Sequence, residues 1–323
     1  MITRRRFLAA TAATALTEAA LAQPHPYPTR PVRWVVGYPP GGGTDFLART
    51  VAAQLSAQLG QQFFVDNKPG AAGIIAAESV ARAPADGYTL FTGDNGILVY
   101  NSALYKRLPY SPERDFTPIG LMTRAHLALV ATPGFAFRDV RSLLEDMRKR
   151  PGAHSYASPG AGTPHHLAME WFKSEAKVQV AHVPYRGGAA ALQDVMGGQV
   201  PLMLLDMPSG FSAGAAGKVV PLLSFSSRRI PLLKNAPTAA EIGLPLETYA
   251  WQGVVAPAGL PADIQGRLAA ELQKALGDPA VQKKLTDAGL DTTPGDPAQM
   301  ARYVADEKAR WHRIIQSHGL QLE

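Results

Sequence analysis

Between an apolar run at 32–36 and a long apolar-periodic segment at 46–59, the chain reads Tyr38-Pro39-Pro40-Gly41-Gly42-Gly43-Thr44-Asp45. That order predicts a strand, a tight glycine-rich loop and a helix. Three glycines allow a sharp turn and a close approach to a ligand, because no Cβ stands in the way. The first N–H groups of the helix have no intrahelical acceptor, and the helix dipole is positive there. A chain built this way carries a ready anion site, and the rest of the sequence has to say which anion.

The device recurs. Strands are predicted at 63–66 and 88–92, a second glycine-rich turn at 67–73, and a helix at 76–82. This β-α-β-α-β alternation implies a helix-covered, mostly parallel sheet. Gly93-Asp94-Asn95-Gly96 then follows at the carboxyl edge, where such sheets bind ligands. A new run begins at 127–131, with a helix at 138–150 and a strand at 154–157. Ser158-Pro159-Gly160-Ala161-Gly162-Thr163-Pro164 opens the next helix. A strand at 178–183 ends in Pro184-Tyr185-Arg186-Gly187-Gly188 before a helix at 189–196. Strands at 200–205, ending at Asp206, and at 219–225 follow. Three helical patterns at 262–276, 280–288 and 297–317 are expected to pack back on the first part. The reading is two α/β domains, 32–124 plus 251–323 and an inserted 125–250, joined by two crossings. Gly43 or Thr44 is the expected N-cap of the first helix, and Gly60 its C-terminal glycine.

Ahead of this lies a targeting signature. Arg4, Arg5 and Arg6 precede a short apolar stretch and Ala20-Leu21-Ala22, an A-x-A cleavage site. Residues 1–22 therefore read as a signal peptide of the Sec or twin-arginine type, cleaved after Ala22. The Pro-rich 23–31 reads as a tether. With 46% hydrophobic and 18% charged residues the chain is a folded protein, and with no cysteine it has no thiol chemistry. Its net charge of +6 is scattered, which suits acidic small ligands and gives no nucleic-acid footprint.

Several chemistries can be weighed. No Lys follows Gly41 to Asp45, so a phosphate loop is disfavoured, and the glycines do not match the dinucleotide fingerprint. Gly210-Phe211-Ser212-Ala213-Gly214 matches G-x-S-x-G, so an exported serine hydrolase is the alternative reading. Its context is poor, because Asp206 to Ser209 separates it from the strand, and Gly217 and Pro221 limit a helix. His165, His166 and Glu170 lie a turn apart without a third metal ligand. His182 and His312 read as structural. What remains is two anion-receptive loops, one per domain, facing a cleft that closes on its ligand. No cofactor, metal or catalytic residue is expected.

Taken together, the motifs resemble the Bug-type extracytoplasmic solute-binding receptors of tripartite tricarboxylate transporters. The carriers are Tyr-Pro-Pro-Gly-Gly-Gly-Thr-Asp at 38–45, Asn-Lys-Pro-Gly-Ala-Ala-Gly at 67–73 and Ala-Asp-Gly-Tyr-Thr-Leu at 85–90. Further along stand Asp-Phe-Thr-Pro-Ile at 115–119, Gly-Thr-Pro-His-His-Leu at 162–167 and Val-Pro-Tyr-Arg-Gly-Gly at 183–188. Gly-Gly-Gln-Val at 197–200, Ala-Pro-Thr-Ala-Ala-Glu-Ile-Gly-Leu-Pro at 236–245 and Ala-Pro-Ala-Gly-Leu-Pro at 256–261 complete the series.

The resemblance implies a two-domain type II periplasmic binding fold, monomeric and periplasmic. It also implies delivery of a small organic carboxylate or amino acid to membrane permease subunits. It puts one ligand carboxylate against Tyr38, Pro40, Gly41, Gly42, Gly43, Thr44 and Asp45. From the opposing domain it implies Ser158, Gly162, Thr163 and His165, then Tyr185, Arg186 and Gly187, and finally Asp206. At Asp45 and Asp206, capping or turn formation competes with direct contact. Where the family commonly has a small neutral stretch, this chain has Asp94 and Asn95, which join the candidate contacts. An Asp94 facing the cleft would repel a second carboxylate or pair with an amino group.

Overall fold

The computed structural model describes residues 27–230, 233 and 235–322. The expected signal segment and its cleavage site lie outside these residues, as does the start of the tether. Residues 27–31 are pinned down. The Tyr27 hydroxyl donates to the Gly87 carbonyl, and Arg30 bridges Asp86 and covers the Tyr88 ring at 4.0 Å.

Ten strands form the framework: Val32–Val36 (β1), Phe63–Asn67 (β2), Thr89–Asp94 (β3), Phe116–Ala131 (β4), Ser155–Ser158 (β5), Ala181–Pro184 (β6), Leu202–Asp206 (β7), Val220–Ser224 (β8), Tyr249–Pro257 (β9) and Leu290–Gly295 (β10). The longer helices are Gly43–Leu59 (α1), Ile74–Ala81 (α2), Val140–Lys149 (α3), Pro164–Ala176 (α4), Gly188–Met196 (α5), Met207–Ala215 (α6), Ala262–Gly277 (α7), Pro279–Asp287 (α8) and Pro297–Ser317 (α9). The N-cap of α1 is Gly42, one residue ahead of the expected pair, and Gly60 closes the helix at φ 66°.

β1 pairs in parallel with β2 and β3, and β3 continues antiparallel onto β9. β4 is the strand that matters most. Its first part pairs antiparallel with β9 and β10, and its last five residues, Leu127 to Ala131, pair with β7 and β8. β5 lies parallel between β6 and β7. One strand thus carries the chain out of the first sheet and into the second. This gives the two-lobed α/β architecture of periplasmic binding proteins. The sheets are mixed, not mostly parallel, because the crossing strands β4 and β9 run antiparallel to their neighbours.

Further features differ from the sequence reading. Gly93 and Asp94 belong to β3, held opposite Gly253 and Gln252, and a helical stretch follows directly through Tyr100 and Leu104. The segment after Asp206 is helix α6, with Pro208 tolerated in its first turn, where a missing N–H costs nothing. β10 was not expected.

Large aromatic residues fill the first lobe. Trp34, Trp251 and Trp311 are fully buried, and each indole N–H needs an acceptor. Trp34 donates to Thr92 Oγ1 at 2.8 Å, while Trp251 and Trp311 both donate to Glu307 Oε2 at 3.2 Å. The apolar stripe of α9 buries Met300, Trp311 and Ile315 against this core, as its periodicity predicts.

In the second lobe a ring stack supports the turn before α4. His182 lies between His166, at 4.2 Å between centroids, and Tyr156, at 4.8 Å. His166 Nδ1 accepts the Gly162 N–H, and Ser158 Oγ hydrogen-bonds His182 Nε2. Burial, reinforced by Lys173, pulls His166 down to about 4. Burial, then the neighbouring His166, pulls His182 down to about 3. An unfolded histidine takes up its proton at higher pH than either of these. Their contribution to stability is therefore complete above about pH 6.5 and is lost as pH falls toward the folded values. The melting temperature should fall between about pH 7 and about pH 4.5. H182F, which keeps a ring in the stack but cannot titrate, should show a shallower fall in the same scan. An equal slope would contradict this assignment.

Candidate functional site

A cavity of about 230 Å³ lies between the two lobes. It exceeds the roughly 150 Å³ that accommodates benzene. The first lobe supplies Tyr38 to Pro40, Gly42 to Thr44 and Asp94 to its wall. The second supplies Thr163 to His165, Arg186 to Ala190, Asp206, Pro208 and Ser209. Ala250, Trp251 and Gln252 come from the crossing strand β9.

Two helices point N-termini without a side-chain cap at it. The N-caps of α1 and α5 are Gly42 and Gly187, and neither residue has a side chain to cap the first N–H groups. The third glycine-rich loop is different. Thr163 caps α4 by accepting the His166 N–H, and Pro164 has no N–H to offer. The turn into α6 is also closed, because Asp206 Oδ1 accepts the Ser209 N–H at 3.0 Å.

The lobes touch in this arrangement. The Gly43 N–H donates to Ser209 Oγ across the gap at 3.2 Å. A Cβ on Gly43 would stand 2.8 Å from Asp206 Oδ1, and one on Gly187 would stand 3.2 Å from the Pro39 ring. Glycine at both positions is what allows the approach.

Polar and titratable side chains line the cavity. Tyr38 donates its hydroxyl to Asp94 Oδ2 at 2.6 Å, and the Ile97 N–H donates to Oδ1 at 2.9 Å. Burial pushes the Asp94 carboxyl above its ordinary value, which these two bonds only partly offset. His165 Nε2 and Asp206 Oδ2 lie 3.0 Å apart. Burial raises Asp206, but the bonds from His165 and Ser209 outweigh it and hold the carboxyl below the usual range. Gln252 Nε2 donates to Thr44 Oγ1 at 3.0 Å. Two buried polar atoms of the wall have no protein partner, His165 Nδ1 and Gln252 Oε1. Arg186 stands exposed at the rim.

Of the candidate contacts, Tyr38, Pro40, Gly42, Gly43, Thr44, Asp94, Thr163, His165, Arg186, Gly187 and Asp206 line the cavity. Six do not. Gly41 makes the turn at φ 85° and donates its N–H to Asp45. Asp45 is the internal brace of the loop, accepting also from Arg49 and Asn67. Asn95 stitches β3 to β9 through the Tyr249 carbonyl and the Trp251 N–H. Ser158 and Gly162 serve the histidine stack, and the Tyr185 hydroxyl is engaged by Asp194. Sequence reasoning missed Ser209 and Gln252. An Asp three residues before a Ser, with Pro208 between, was a legible helix start. Gln252 depends on strand register and had no local signal.

The chain matches the model of the tripartite tricarboxylate transporter family receptor over residues 47–320. It is 39% identical to a UPF0065 protein from the tcbD-tcbE intergenic region of a Pseudomonas species, over 99% of this chain and 96% of that one. Among solved structures it resembles R. palustris Rpa4515 with adipate, at 38% identity and a TM-score of 0.87, covering 91% of this chain and 98% of that one. It also resembles the periplasmic binding protein BugD, at 31% identity and a TM-score of 0.87, covering 92% and 100%. The chain belongs to the Bug-type receptors of the tripartite tricarboxylate transporter family. It is a solute-binding receptor, not an enzyme.

The hydrolase alternative also fails on backbone placement. A nucleophile elbow puts its Ser at the turn between strand and helix. Here β7 ends at Asp206 and α6 starts at Met207, so Ser212 lies well inside the helix. The first glycine of the motif has a packing reason instead. A Cβ on Gly210 would fall 1.9 Å from Leu205 Cδ2, whereas one on Gly214 would meet nothing within 4 Å. G210A should destabilise by about 1–3 kcal/mol through overpacking. G214A should be neutral or stabilise by up to about 1 kcal/mol, as Ala does in an open helical position. Urea denaturation of the two variants tests this, and equal effects would contradict it.

Proposed function

We propose that this receptor captures a small organic carboxylate in the cavity between its lobes and delivers it to the membrane permease subunits of a tripartite transporter. On this reading it is exported by the signal segment, cleaved after Ala22, and works in the periplasm as a monomer. The observation that carries the reading is the pair of uncapped helix N-termini, α1 and α5, facing one cavity from opposite lobes. Bare N–H groups and two dipole ends stabilise a carboxylate without a permanent cation beside it. Arg186 at the rim adds attraction on approach. A structural neighbour described with bound adipate supports the ligand class.

Closure follows from the same geometry. A ligand bridging α1 and α5 favours the state in which both reach it, and it is the differential contact that shifts the population. Expelling water then strengthens each hydrogen bond.

The direct test is a thermal-shift screen of the mature chain over mono-, di- and tricarboxylates and amino acids. A true ligand at one hundred times its dissociation constant should stabilise by about 2.7 kcal/mol. No shift with any acid would sink the proposal. A second test isolates closure. G43A should weaken the best acid by roughly 5- to 150-fold, because its Cβ meets Asp206 and Pro208 only when the lobes are together. The free variant should melt at or above the wild-type temperature, since Ala is the better helix former. Unchanged affinity in G43A would mean that the lobes bind without meeting at this point.

A further inference from the structure

Asp94 and Gln252 sit directly opposite each other in the β3–β9 ladder, and both line the cavity. They are 5% and 7% exposed. Both oxygens of Asp94 are placed as acceptors, Oδ2 toward the Tyr38 hydroxyl and Oδ1 toward the Ile97 N–H, and the Gly96 N–H also donates to the carboxylate. These donors are neutral, so they orient the carboxylate without cancelling its charge. A carboxylate has about four acceptor positions, so one remains beyond these three donors. Gln252 is held by its amide nitrogen on Thr44 Oγ1, and that leaves Oε1 buried without a protein partner. The cross-strand pair is therefore a patch of acceptors in a wall whose other feature is bare donors.

A buried acceptor without a donor is costly, and a buried carboxylate whose hydrogen-bond donors are all neutral favours a cation. A ligand of the carboxylate class with nothing but oxygen acceptors would put like against like here. An ammonium group satisfies both residues, since it brings three donors and a positive charge. The patch lies beside the end of the cavity where the ligand carboxylate is read to sit. Gln252 is bonded to Thr44 in the first turn of α1, so the acceptors adjoin the donor end of the cavity.

We propose that Asp94 and Gln252 form an ammonium subsite, and that the ligand of this receptor is an α-amino acid in preference to the corresponding plain acid. The proposal rests on the carboxylate reading of the cavity and narrows it. Asp94 and Gln252 are then specificity-determining residues. A purely structural role, holding Tyr38 and Thr44 in place, would alter melting temperature but not the ratio of two affinities.

The experiment is isothermal titration of the mature chain with acids that differ only in the α-ammonium: pentanoate against norvaline, glutarate against glutamate, adipate against 2-aminoadipate. In at least one pair the amino acid should bind at least about tenfold tighter, the minimum expected of hydrogen bonds to a charged group. D94N should bring that ratio within about threefold. Q252M, which removes only the neutral acceptor, should lower it in the same direction and serves if D94N does not fold. Equal or tighter binding of the plain acids by the wild type overturns the subsite while leaving the carboxylate receptor intact. So does a ratio that neither folded variant changes. If no member of any pair binds, the carboxylate reading falls and the subsite with it.

Discussion

The cavity depends on one antiparallel ladder. β4 and β9 pair from Phe116 opposite Pro257 to His126 opposite Tyr249, and β4 then runs on into the second sheet. A continuous strand cannot slip relative to its partner without turning every side chain to the other face. The register therefore fixes which residues of β9 reach the cavity. Through β3 it also sets Gln252 against Asp94. Glu307 binds the indole nitrogens of Trp251 and Trp311 and so locks this strand to α9. The same two strands are the natural place for lobe motion, since the chain leaves the first sheet along β4 and returns to it at β9.

Against this rigid frame, the helix ends divide into two kinds. α3, α8 and α9 start with Asp139, Asp278 and Asp296, whose carboxylates accept the first-turn N–H groups. A capping side chain of this kind contributes about 1 kcal/mol. α1 and α5 forgo it, with glycine at both caps. Glycine costs only a few tenths of that figure relative to a good cap. In exchange no capping side chain occupies the first amides and the opposing lobe can come close, near enough for the Gly43 N–H to reach Ser209. Asp45 illustrates the compensation. Its carboxylate is spent inside the loop on Gly41, Arg49 and Asn67, which holds the loop in shape without blocking it.

Much of the fold was legible in the sequence. The strand-loop-helix order at 32–59 and the stripe of α9 follow from periodicity and glycine placement, and both appear where expected. The loops that reach the cavity were legible for the same reason. Long-range pairing was not. Only 127–131 reads as a strand there; that β4 is one strand across two sheets shows only in its pairing, where Pro118 and Gly120 are absorbed at a register shift. α6 was not expected, because Gly217 and Pro221 read as limits on a helix; Pro208 is tolerated in its first turn and Gly210 packs closely on Leu205. Asn95 and Ser158 stood among the candidate contacts, and Asp45 stood there beside a capping role, because polar residues near a loop look alike in one dimension. Only geometry shows that their donors and acceptors are used internally.

The central claim is that a carboxylate is held by the open amides of two helices from opposite lobes. Amide chemical shifts of the isotope-labelled mature protein, followed while a stabilising acid is added, address it most directly. The account predicts large shifts together at Gly42, Thr44, Gly188 and Ala189, with Trp251 reporting closure. Shifts confined to one of the two helices, or centred on α6 away from both, would contradict it.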